Sequence, residues 1–405
     1  MTLIQVNQKH PTVPLNELEQ SAFCQTEPVE TKPLAEEVNA GARWQKIPEE
    51  YMDLTPTELT MKIQSNKKRL GDSTVILGHH YQREDIIEFA DFRGDSFKLA
   101  QFAAEDQNSQ NTIFCGVHFM AETAAILGRT DQKVFLPNMQ AGCSMADMAS
   151  IDDVLDCWEE LTGILQPKEL IPITYMNSVA AIKALCGRNG GTVCTSSNAD
   201  SAMTWAFQTS QKVIFFPDQH LGRNTGIKLG IPLEEMILWN PFLPLGGNTI
   251  DQIVKSKLIL WKGHCSVHTR FSTKQIRLAR EKYQDINIMV HPECIMEVVN
   301  ESDYVGSTEA IVQTVSQGAP GSVWGIGTEI NLVSRIAHEN PDKTVFCLDP
   351  IVCPCSTMYR IHPAYLLWLT DELLAGRTPN QIVVPNEIAE DAKVALQRML
   401  EISKQ

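Results

Sequence analysis

Short β-branched and aromatic runs alternate with helical stretches along most of this chain, and the alternation repeats three times with polar residues at matched points. The runs are Thr74–Leu77, Asn111–Cys115, Val134–Leu136, Ile171–Tyr175, Thr192–Thr195, Lys212–Phe216, Leu258–Trp261, Ile286–Val290, Ser322–Trp324 and Thr344–Leu348. Strand, helix, strand at this spacing predicts an α/β fold built on parallel sheets. The intervening helices carry their own punctuation, such as Ser307 or Thr308 as N-cap and Gly318 as the stop of the stretch between them.

The first strand of each unit ends in a polar cluster: Gly78-His79-His80-Tyr81, Tyr175-Met176-Asn177-Ser178 and His291-Pro292-Glu293-Cys294. Each unit also holds a cysteine immediately before a serine, at Cys143, Cys265 and Cys355. The distance from His79 to Cys143 (143 − 79) equals that from His291 to Cys355 (355 − 291), 64 residues in both. The middle unit is longer, 90 residues from Tyr175 to Cys265 (265 − 175), with the excess in the Gly- and Pro-rich stretch Gly230 to Gly247. Ligand sites of parallel α/β folds lie at the C-terminal ends of strands, so three such ends and three cysteines predict one central site. Three thiolates from three similar units would hold a [4Fe-4S] cluster with one iron free of protein sulfur, open to act on substrate as a Lewis acid.

Composition bounds the remaining classes. The chain has 405 residues, 43% hydrophobic and 20% charged, enough for two or three domains with their own cores. No apolar run approaches the roughly 18 residues of a membrane span, and Met1 to His10 lacks a signal-peptide profile, so a cytoplasmic location is expected. A net charge of −15 argues against non-specific nucleic-acid binding. Eleven cysteines in a long acidic chain do not read as a disulfide framework, and Cys157 and Cys186 are expected on buried helix faces. There is no phosphate-binding G-x-x-x-x-G-K-[ST] loop, and Gly325-Ile326-Gly327 is too little for a dinucleotide fingerprint.

The expected organisation is a polar extension over 1–45, with Pro11, Pro14, Pro28 and Pro33 and no sign of chemistry. A first α/β repeat follows over 46–165, a second with its insertion over 166–280, a third over 281–375 and a C-terminal helical segment over 376–405. Cys353-Pro354-Cys355 leaves open a redox pair or two metal ligands. Cys355 is the better third ligand because it has the 64-residue spacing and the following serine, and Cys353 has neither. His264 and His268 read as groups near the ligand or facing solvent rather than as ligands.

Ile76-Leu-Gly-His79-His80-Tyr81-Gln82, Gly94-Asp95-Ser96, Ala141-Gly-Cys143-Ser-Met-Ala-Asp147, Tyr175-Met-Asn177, Cys194-Thr-Ser196-Ser-Asn198, Gly263-His-Cys265-x-x-His268, His291-Pro-Glu293-Cys294, Gly306-Ser-Thr308 and Cys355-x-x-Met358 together resemble the quinolinate synthase family. The resemblance spans roughly residues 70 to 370 in order. It departs at His80, where many members have tyrosine. It implies three pseudo-threefold-related three-layer αβα domains around a [4Fe-4S] cluster on Cys143, Cys265 and Cys355. The implied reaction is condensation of iminosuccinate with dihydroxyacetone phosphate to quinolinate, phosphate and water in de novo NAD biosynthesis, with functional coupling to L-aspartate oxidase. His79, Tyr81, His291 and Glu293 are the implied acid–base groups. The implied substrate contacts are His79, Ser96, Tyr175, Met176, Asn177, Ser196, His291, Pro292, Glu293 and Thr308. Two alternatives stay open: another open-iron hydro-lyase acting on a hydroxy acid, and a non-catalytic metal-binding or iron-sensing scaffold. A scaffold has no use for a ring of His, Tyr, Glu, Ser and Thr donors.

Overall fold

The computed structural model describes residues 23–25, 30–38, 42–166 and 168–403. All ten anticipated runs are strands, and their sheets are parallel throughout except at one edge of the first. The first sheet contains β1 (Thr74–His79), β2 (Phe92–Gly94), β3 (Asn111–Cys115) and β4 (Lys133–Phe135). The second contains β5 (Leu170–Tyr175), β6 (Thr192–Cys194), β7 (Lys212–Phe216), β8 (Met236–Trp239) and β9 (Leu258–Trp261). The third contains β10 (Ile286–Val290), β11 (Tyr304–Val305), β12 (Val323–Gly327) and β13 (Thr344–Cys347). A last strand, β14 (Gln381–Ile382), adds antiparallel to the edge of the first sheet at β4.

Strand orders are β14-β4-β3-β1-β2, β6-β5-β7-β9-β8 and β11-β10-β12-β13. In every sheet the unit's first strand lies between its second and third, so β1, β5 and β10 occupy equivalent places, as do β3, β7 and β12. Helices cover the sheets, so central strands are buried on both faces and read as continuous apolar runs; β1 and β5 are buried at every residue. In β10 the alternation of faces is visible directly. Ile288 and Val290 join one apolar cluster with Val298 and Leu348, and Met289 joins another with Ile311 and Ile326.

The first two sheets share one continuous core, which includes Phe114, Phe135, Ile173, Phe215 and Leu260. The C-terminal helices Pro363–Leu374 and Asn386–Ile402 complete it with Leu366 and Leu396. The last of these packs on helix Ala180–Arg188 so closely that a Cβ on Gly187 would collide with the Asp391 carbonyl oxygen. No helix of the described residues is long and apolar enough to cross a membrane.

Where it is described, the N-terminal segment is tied down rather than loose. Gln25 pairs with Val352 through two backbone hydrogen bonds of 2.8 and 2.9 Å, Cys24 forms a disulfide with Cys353, and Phe23 packs on Trp44 and Tyr359. Buried Glu37 forms a bidentate pair with Arg83 at 2.7 and 3.0 Å. Pro11, Pro14 and Pro28 lie outside the described residues. The Cys24 disulfide also corrects the reading of Cys353-Pro354-Cys355 as a redox pair: Cys353 is bonded to a distant partner and Cys355 is a free thiol. Cys157 and Cys186 are free and buried, as their helix faces require.

Candidate active site

The C-terminal ends of the strands converge on one cavity, and Cys143, Cys265 and Cys355 all line it. Cys143 caps the one-turn helix Ser144–Asp147, and Cys355 caps its counterpart Ser356–Tyr359. The serine after each of these cysteines is thus the first helical residue, which accounts for the repeated Cys-Ser pair at those two places. Cys265 precedes the turn His268–Arg270 instead. The loop carrying it passes so near β7 that a Cβ on Gly263 would collide with the Pro217 carbonyl oxygen.

Burial pushes all three thiols above their ordinary range. Acting against it are amide N–H groups aimed at the sulfurs: Ala146 and Met145 at Cys143, His268 at Cys265, and Met358 and Thr357 at Cys355. The three sulfurs also act on one another, Cys355 on Cys143 and both on Cys265. Buried thiols with amide donors already pointed at them are prepared for thiolate but lack a cation, and a metal cluster supplies that charge. The donor set therefore fits an iron–sulfur group. A sulfur of Cys265, a ring nitrogen of His268 and a carboxylate oxygen of Glu293 also lie within 4.8 Å of one another. A single ion there would compete with the short hydrogen bond between the last two.

On the cavity's other wall stands a connected acid–base layer. His79 and His291, at equivalent strand ends, are held alike: the Tyr81 amide donates to His79 Nδ1 at 3.1 Å and the Glu293 amide to His291 Nδ1 at 3.4 Å. With Nδ1 accepting, each neutral ring carries its proton on Nε2. Burial is the main cause that lowers both imidazoles, His291 to about 3, so both rings are neutral near pH 7. Glu293 Oε2 lies 2.6 Å from His268 Nδ1, and His268 stacks on His291 with ring centres 4.3 Å apart. Burial works to raise the Glu293 carboxyl, but His268, His291 and the Tyr175 hydroxyl outweigh it and hold the group ionised. Beyond His268, Nε2 lies 3.1 Å from the Thr328 hydroxyl and 3.3 Å from the Tyr81 hydroxyl, and the two hydroxyls are 2.8 Å apart. A proton thus has a continuous path of hydrogen-bonding groups between Tyr81 and Glu293.

Polar donors complete the lining. Ser96 and Thr308 are the first residues of helices Ser96–Glu105 and Thr308–Gln317, where free amides favour an anion. Thr308 Oγ1 is buried without a hydrogen-bond partner among the described residues, a donor left for a ligand. Tyr175, Asn177 and Ser196 line the cavity from the second sheet, with the Tyr175 hydroxyl interacting with Glu293 and Ser196. Of the residues anticipated as substrate contacts, Met176 and Pro292 do not line it. Met176 directs its sulfur to the Thr123 hydroxyl, and the Pro292 carbonyl accepts from Asn224.

The residue that sequence reasoning undervalued is His268. It is 1% exposed and central to the proton path, which corrects the solvent-facing reading. Its signal was the Cys265-x-x-His268 spacing, which sets the ring one turn from the sulfur. Thr328 had no signal of its own, and Asp95, which accepts from Ser197 at 2.7 Å, stood in the sequence only as the middle of Gly94-Asp95-Ser96. His264 is half-buried and outside the cavity.

Comparison with known proteins gives a consistent result. The family model described as quinolinate synthetase A protein matches residues 61–401. A protein of Corynebacterium glutamicum named quinolinate synthase is 54% identical over 360 residues, 89% of this chain and 91% of its own length. Proteins with that name from Herpetosiphon aurantiacus and Bacillus anthracis are 51% and 48% identical over 358 residues, 88% of this chain and 95% and 96% of theirs.

Proposed function

Because the chain belongs to the quinolinate synthetase A protein family, a quinolinate synthase of NAD biosynthesis, we propose that it condenses iminosuccinate with dihydroxyacetone phosphate. The products are quinolinate, phosphate and two molecules of water, which balances the atoms of the two substrates. Phosphate loss and carbon–carbon bond formation place the reaction among the transferases. Cys143, Cys265 and Cys355 would hold a [4Fe-4S] cluster, which supplies Lewis-acid help to a departing hydroxyl through an iron without a protein thiolate.

The chain's own residues supply the rest. Joining the two substrates, tautomerising, closing the imine and dehydrating all move protons on carbon and oxygen. That work needs groups in alternate protonation states within reach of one bound molecule. Glu293 is the ionised member and can take a proton, and His79 and His291 present Nε2–H as donors. Tyr81, joined through His268 to Glu293, can pass a proton across the cavity. Ser96, Thr308, Asn177, Ser196 and the Tyr175 hydroxyl offer donors for substrate carboxylates or phosphate. Iminosuccinate is hydrolytically fragile, so a functional coupling to an L-aspartate oxidase that makes it is part of this reading, in the cytoplasm where no membrane is involved.

The observation that carries the proposal is the meeting of one cysteine from each of three sheets with a buried His, Tyr and Glu layer in one cavity. Anaerobic purification followed by iron and sulfide counts and a quinolinate assay tests it. Expected are about four irons and four sulfides per chain and quinolinate only when both substrates are present. Iron-loaded protein that ignores dihydroxyacetone phosphate but dehydrates a hydroxy acid would favour the hydro-lyase reading instead.

A further inference from the structure

After the third strand of each unit, at the second residue past the strand end, the next helix begins. These N-cap residues are Val117 after β3, Asp218 after β7 and Glu329 after β12. Val117 and Glu329 also lie the same distance, 26 residues, before Cys143 and Cys355 (143 − 117, 355 − 329). Two of the three equivalent positions are therefore fully buried carboxylates, and the third is an apolar side chain facing the cavity.

Glu329 does more than cap its helix. Its Oε2 accepts the amides of Asn331 and Leu332 at 2.8 and 3.3 Å, as an N-cap does. Its Oε1 accepts the backbone N–H of Cys355 at 3.1 Å and the Asn331 side chain at 2.9 Å. Asp218 repeats the arrangement in the second unit. Oδ1 accepts the amides of His220 and Leu221 at 2.6 and 2.9 Å, and Asp218 pairs alongside Gly263, two residues before Cys265. Oδ2 is buried short of a full hydrogen bond, with the Cys265 amide acting on the same carboxylate.

We infer that Glu329 and Asp218 are positioning residues that hold the backbones of Cys355 and Cys265 and so aim their sulfurs into the cavity. The first unit does without such a carboxylate at Val117. Cys355 is then gripped from both sides, its own N–H by the Glu329 carboxyl and its sulfur by amides of the following turn, while Asp218 pairs with Gly263 in the segment leading to Cys265 and sets its carboxyl beside the Cys265 amide.

This inference rests on the cluster reading above, and the test separates the two. Glu329→Asp retains an N-cap of a preferred type but is one methylene too short to serve both the helix and Cys355. Asp218→Asn retains the shape and the cap of its helix but turns an NH2 group, which cannot accept, toward the Cys265 amide. Holoprotein reconstituted anaerobically is challenged with an iron chelator, and thermal melting of each variant is recorded. Loss of the hydrogen bond that holds the Cys355 backbone should make Glu329→Asp release iron about ten-fold faster or more, with melting near that of the parent. Asp218→Asn should also release iron faster than the parent. Parental iron release in both variants overturns the inference, and so does lowered melting with unchanged iron release, which assigns the carboxyl groups to helix capping alone. Failure of the parent protein to take up iron and sulfide would instead refute the cluster reading.

Discussion

Replacing Glu293 by glutamine isolates the charge of the one group in the acid–base layer that the site holds ionised. The carboxylate is 2% exposed, 2.6 Å from His268 Nδ1, and supported by His291 and Tyr175. Glutamine has the same shape, and its carbonyl oxygen can still accept from His268, so the stack of His268 on His291 is retained. What disappears is the ability to take a proton. General acid–base groups contribute about 10² to 10⁴ in rate, equivalent to roughly 3 to 5 kcal/mol of barrier. The expected outcome is unaltered iron and sulfide content, substrate binding within a few-fold of the parent, and quinolinate formation reduced by about that factor. A discontinuous assay for quinolinate under anaerobic conditions, run beside an iron count, reads both quantities. Turnover within three-fold or so of the parent would remove Glu293 from proton transfer, and loss of iron with retained folding would show that its role is to support Cys265.

Three further outcomes are expected. Cys143→Ala, Cys265→Ala and Cys355→Ala each abolish iron retention and quinolinate formation, whereas Cys115→Ala and Cys186→Ala, buried away from the cavity, retain iron; metal analysis after anaerobic reconstitution reads this. His362 is fully buried and held neutral, its imidazole lowered to about 4 chiefly by burial and then by Arg83. Because the unfolded chain gains that proton first, stability falls as pH drops below about 6.5, and between pH 7 and 5 His362 accounts for roughly 2 kcal/mol. Denaturant melts at both pH values should show a smaller acid loss in His362→Gln. Gly187→Val forces apart two helices and lowers stability by about 1 to 3 kcal/mol. Gly163→Ala, in helix Ile151–Ile164 with open space around its Cβ position, stabilises by about 0.4 to 1 kcal/mol, and thermal melting distinguishes the two.

Ten of the fourteen strands were legible in the sequence because each is a run of apolar or β-branched residues, a pattern that burial on both faces imposes locally. The four that were not, β2, β8, β11 and β14, lie at sheet edges and are short. In Phe92–Gly94 two of three residues are exposed, and in Tyr304–Val305 both are, so hydrophobicity leaves no trace of pairing there. The threefold repeat and the Cys-Ser pairs were also legible, since equal spacing follows from equal architecture. The roles of Met176 and His268 depended on side-chain direction and packing, which spacing does not carry.

Local patterns of a few residues and repetition along the chain are enough to specify the class of fold, its threefold plan and the residue types gathered at the strand ends. Tertiary structure alone decided that Cys353 bonds to Cys24, 329 residues away, that His268 links Tyr81 to Glu293, and that the carboxyl groups of Asp218 and Glu329 stand beside cavity-lining cysteines. Each of these is a contact between groups distant in the chain. Its existence depends on distances of about 3 Å set by three sheets closing on one cavity, and no local pattern encodes a distance of that kind.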